Sequence, residues 1–118
     1  SFYCMKTDGA TGESVYMNGS VPDDFVSTVS VEALVIPDFT ATEATSLDCH
    51  YGAVGAVFSA TTNTSSISPS YVTNDFMSLD VSAVFSAITS GDIFGFEINQ
   101  TNGNALNVVG LKLKYKAK

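Results

Sequence analysis

The chain has 118 residues, one domain's length, with 45% apolar and 14% charged residues, a composition that supports a buried core and excludes disorder. No apolar run approaches the roughly 18–20 residues of a membrane-spanning helix. Five Lys and no Arg stand against twelve acids, a formal charge of −7; four of the Lys fall at 112–118, so residues 1–111 carry a net −11, which excludes tracking of nucleic-acid phosphates and adhesion to an anionic membrane.

Alternation organises the chain from its first residues. Period two places apolar side chains on one sheet face and polar ones on the other. The opening Ser1-Phe2-Tyr3-Cys4 lacks an initiating Met, which implies processing or a leader, and a strand is expected over about 2–6. Val15 and Met17 alternate with Ser14, Tyr16 and Asn18 in a strand over 13–19. Val29, Val31, Ala33 and Val35 define one over 28–36, and Leu47, Cys49 and Tyr51, with Asp48 and His50 opposite, define one over 45–51. Further strands are expected over 53–59, 70–79 (Met77, Leu79), 92–99 (Phe94, Phe96, Ile98) and 106–115 (Val109, Leu111, Leu113, Tyr115). Asp8-Gly9, Pro22-Asp23-Asp24, Pro37-Asp38, Gly52, Ser90-Gly91-Asp92 and Asn102-Gly103-Asn104 supply the turns. Residues 59–70, rich in Ser and Thr, read as a long surface loop or a poorly patterned edge strand.

One segment breaks the period. Val81, Val84, Phe85 and Ile88 recur at helical spacing behind Asp80 as N-cap, with Leu79 and Val84 as a staple, and predict a short helix over 81–88. The expected fold is a single all-β domain over 1–118: an antiparallel, jelly-roll-like β-sandwich of about eight strands with that one short helix. Leu47, Val35, Phe96, Leu111 and Leu113 are its expected core.

No catalytic, cofactor or metal constellation is expected. There is no Gly-x-Ser-x-Gly elbow and no phosphate loop. His50 is the single histidine and reads as a surface residue rather than a ligand or base. Asp23 and Asp24 could offer hard oxygens to Ca²⁺, with Asp8 or Glu13 nearby, but lack EF-hand spacing and read as a solvated turn. Cys4 and Cys49 are either a disulfide closing a long loop or two buried thiols. Sequons at Asn18, Asn63 and Asn99 are weak signs of secretion in so Ser/Thr-rich a chain. Sugar binding is weakened by the absence of Trp and by the placing of most aromatics on apolar faces.

Several stretches, in order, resemble small virion proteins of tailed phages and related viruses, the jelly-roll decoration, head-spike and fibre types. They are Val21-Pro22-Asp23-Asp24-Phe25-Val26-Ser27, His50-Tyr51-Gly52-Ala53-Val54-Gly55, Leu79-Asp80-Val81-Ser82, Ser90-Gly91-Asp92-Ile93-Phe94-Gly95-Phe96 and Asn107 to Tyr115. Ala56 stands where such proteins often carry an acid. The resemblance implies a non-enzymatic module on the virion surface that associates with itself, as a trimer for example, and with other capsid proteins. The alternatives are an extracellular filament subunit and, after it, a secreted carbohydrate-binding module. Lys112, Lys114 and Lys116 share the face opposite Leu111, Leu113 and Tyr115, and are the expected interface cations.

Overall fold

A computed structural model describes residues 5–6, 13–57, 61–100 and 104–118. Its strands are β1 (Met5–Lys6), β2 (Glu13–Ser20), β3 (Phe25–Pro37), β4 (Ala41–Thr42), β5 (Thr45–Gly52), β6 (Thr62–Ile67), β7 (Ser70–Tyr71), β8 (Met77–Asp80), β9 (Ile93–Gln100) and β10 (Leu106–Ala117). One sheet runs β1-β10-β3-β8 and the other β2-β9-β5-β6, while β4 and β7 form a separate ribbon. Every recorded pairing is antiparallel.

With the ribbon set aside, consecutive strands change sheets at every step except β5 to β6, which pair as neighbours. That order is a jelly roll, two Greek keys wound around one core. No helix among the described residues is long and apolar enough to cross a membrane.

The core forms where the inward rows of the two sheets meet. Val31, Ala33 and Val35 of β3 and Val108 of β10 come from one sheet; Leu47 and Cys49 of β5 and Phe96 and Ile98 of β9 come from the other. All are buried, as alternation demands. Phe85 closes one end with its ring centroid 5.4 Å from Phe94 and 5.3 Å from Phe96. Phe94 lies over Gly19, its cross-strand partner, where a Cβ would come within 2.6 Å of the ring.

A polar chain is sealed inside as well. The Tyr71 hydroxyl meets Thr45 Oγ1 at 2.6 Å, and Thr45 donates to Gln100 Oε1 at 2.5 Å. Thr45 has one proton to give, so the tyrosine donates to it. Burial foremost pushes the Tyr71 phenol up to about 12.

Four expectations are corrected. Residues 81–88 do not form an α-helix; a 3-10 turn covers only Ser82–Phe85. Asp80 Oδ1 accepts from Ser82 N and Oγ, while Val31 N donates to Ser82 Oγ and Val81 N to Val31 O. These bonds tie the segment to β3, and Val84, Phe85 and Ile88 still bury as their spacing required. Residues 53–57 are a turn rather than a strand, closed by Ala56 N donating to Ala53 O with Gly55 at φ 95°. The Ser/Thr-rich stretch supplies the edge strand β6 instead, because ladder bonds come from backbone groups whatever the side chains.

The expected strand 70–79 is split by a turn in which Asn74 takes φ 65° and donates its N–H to Pro37 O. Leu111 and Leu113 are half-buried instead of core. Past the bulge between Val108 and Gly110 they line a cleft of about 300 Å³ with Phe85, Ile88, Phe94 and Tyr115.

Candidate functional site

The outward face of β2-β9-β5-β6 collects the polar members of the alternation, and register sets them in rows. Tyr16, Glu97, Asp48 and Thr64 form one row. Asn18, Gly95, His50 and Thr62 form the next, and Ser14, Asn99, Ser46 and Ser66 a third. Rows on one face stand two residues apart, about 7 Å.

The central row carries the electrostatics. Tyr16 is 59% exposed, its ring presented to solvent. Its hydroxyl donates to Glu97, and that bond, with the carboxylate's charge, raises the phenol above its usual range. Asp48 and Glu97 share a hydrogen bond. Asp48 is raised, first by desolvation and then by Glu97; a nearby His50 opposes the shift. For Glu97 desolvation acts upward, but donors from Tyr16, Ser14 and Asp48 outweigh it and hold the group low. The opposed shifts make Asp48 the more readily protonated member of the pair.

The flanking rows are ordered by bonds of their own. His50 Nδ1 lies 2.7 Å from Thr62 Oγ1, and Asn99 Nδ2 donates to Ser14 Oγ at 2.7 Å. Next to Gly95, the loop 53–57 folds back over the sheet: a Cβ on Gly52 would sit 3.3 Å from the Ala56 Cβ. Sheet and loop enclose an open cavity of about 310 Å³. The whole face thus offers an exposed aromatic ring, paired carboxyls, an imidazole and amides beside a small concavity.

The other sequence-derived candidates lie elsewhere. Lys112, Lys114 and Lys116 are exposed on β10, opposite Glu32, Ser30 and Ser27 of β3. Cys49 is fully buried and burial pushes its thiol up to about 12. Cys4, the other half of the possible disulfide, lies outside the described residues, as does Asp8. Asp24 accepts from the Tyr115 hydroxyl at 2.9 Å. Among the described residues no group of three His, Cys, Asp or Glu could hold a metal. Alternation had already set Tyr16, Asp48 and His50 on polar faces. It could not show that Glu97 and Gly95 stand between them, because cross-strand register is a long-range property.

No family model matches the chain, and no curated protein matches it. Two solved structures are similar. One is the carbohydrate-binding module TmCBM61 in complex with beta-1,4-galactotriose, with TM-score 0.46 and 7% identity, covering 87% of this chain. The other is a family two carbohydrate esterase from Clostridium thermocellum in complex with cellohexaose, with TM-score 0.42 and 11% identity, covering 92% of this chain. The chain spans 62% of the first protein's length and 28% of the second's.

Proposed function

We propose that the chain is a non-catalytic glycan-binding module whose site is the outward face of β2-β9-β5-β6. The observation that carries this reading is the row Tyr16–Glu97–Asp48. An exposed ring gives the C–H face of a sugar an apolar platform. Carboxyls beside it accept from sugar hydroxyls, and Asn18, His50 and Asn99 add donors and acceptors on either flank.

A titration of the chain with a panel of neutral oligosaccharides tests the reading. At least one should bind, and Tyr16→Ala should weaken it by about tenfold or more while the chain stays folded by circular dichroism. Binding that survives Tyr16→Ala unchanged would move the site off this face.

A second reading follows the resemblance to virion proteins: the sandwich is a repeated surface subunit, and Lys112, Lys114 and Lys116 dock it on an acidic neighbour. It is favoured by the exposed cation row on a chain whose remaining residues are strongly acidic. Changing all three Lys to Gln should reduce assembly in light scattering at low salt. Unchanged assembly would leave these Lys as guards against edge-to-edge pairing.

A further inference from the structure

We propose that the concavity beside Gly95 is a subsite for one neutral sugar unit bearing a methyl group, a 6-deoxyhexose or an N-acetylhexosamine; this rests on the glycan-binding reading above. Its floor is Gly95, between Asn18 and His50 on the neighbouring strands. Gly95 is not among the glycines with positive φ, so the backbone there does not require glycine. Gly95 lines the cavity and places no side chain in it. The far wall is the loop 53–57, folded back on Gly52, together with the first residue of β9.

That wall is apolar and exposed. Val54 is 82% exposed, Val57 71% and Ile93 49%, and all three line the same cavity. Three large aliphatic side chains held in water around one concavity mark a contact surface rather than a folding requirement. At about 310 Å³ the space lies at the small end of ligand sites, suited to a single ring.

The two sides ask for a ligand with two chemistries. Asn18 and His50, with Tyr16, Glu97 and Asp48 about 7 Å further along, meet hydroxyls. A hydroxyl turned toward Val54, Val57 and Ile93 would lose its water with no partner in exchange. A methyl group placed there gains by leaving water. The charge selects too: the carboxyl pair, within a body of net −11, repels uronates and sialic acids.

The test compares matched methyl glycosides by calorimetry or chemical-shift titration of the whole chain: fucoside against galactoside of the same D or L series, and N-acetylglucosaminide against glucoside. In at least one pair the methyl-bearing member should bind about fourfold tighter or better. The pair that responds distinguishes the deoxy from the acetamido class. A sialoside, whose acetamido methyl comes with a carboxylate, should not bind. Val54→Ser should erase the preference while the parent sugar still binds. Gly95→Val, a β-branched residue in a strand, should keep the fold by circular dichroism and lose binding.

Equal binding within both pairs, or a Gly95→Val chain that binds as the parent does, overturns the subsite and leaves the glycan reading standing. No binding by any sugar of either pair or of the oligosaccharide panel overturns both.

Discussion

At the level of single residues, the paired carboxyls of Asp48 and Glu97 make the face sensitive to pH. Asp48 has a raised folded pKa, so the stability it contributes is full below its unfolded value, near about 4, and is lost as pH rises through the folded one. Glu97 is lowered and works in the opposite sense: its contribution is present above its unfolded value and fades as pH falls through the folded one. Once pH passes the folded pKa of Asp48 its share is lost, and two carboxylates then face each other. Asp48→Asn keeps a donor toward Glu97 and removes the repulsion. It should raise the melting temperature at pH 7 and flatten its decline between about pH 4 and 7. Thermal melts across that range check this; a lower melting temperature at pH 7 would show that Asp48 is not the proton-bearing partner.

The strands differ in how much of their alternation becomes buried. Leu47 of β5 is 1% exposed and packs between the sheets, whereas Leu111 of β10 lines an open cleft beyond the β10 bulge. Leu47→Ala should cost about 2–5 kcal/mol. Leu111→Ala should cost about 1–2 kcal/mol, because less area returns to water and the cleft needs no new cavity. Urea unfolding of the two variants separates them, and equal losses would mean that the cleft is closed in solution. Both leucines show the same alternation in the sequence. The difference arises at the bulge between Val108 and Gly110, past which the Leu111 side chain faces the cleft.

For the molecule as a whole, charge decides which partners are accessible. Twelve acids against five Lys, four of them in the last seven residues, leave no continuous cationic track for a phosphate backbone. No salt-dependent gel shift with DNA or RNA should be seen at micromolar protein, and a shift that weakens steeply with salt would contradict the charge argument. Neutral sugars escape this repulsion, which is why the acidic face and the acidic body are compatible with the proposed ligand.

The sequence alone determined the all-β class and the sheet-face assignment of most side chains, because period-two alternation is a local property. It also placed Val84, Phe85 and Ile88 inward, although the hydrogen bonds of Ser82 and Asp80 to their surroundings, not helical periodicity, set the backbone there. Tertiary structure decided which polar residues meet. Tyr16, Asp48 and Glu97 lie on three strands far apart in the chain, and only the β2-β9-β5 register lines them up. It also decided that 53–57 is a wall and 62–67 a strand. Apolar side chains at Val54 and Val57 resemble strand residues until the turn at Gly55 lifts them over the sheet, and a Thr/Ser run becomes a strand once a neighbouring edge offers its backbone bonds.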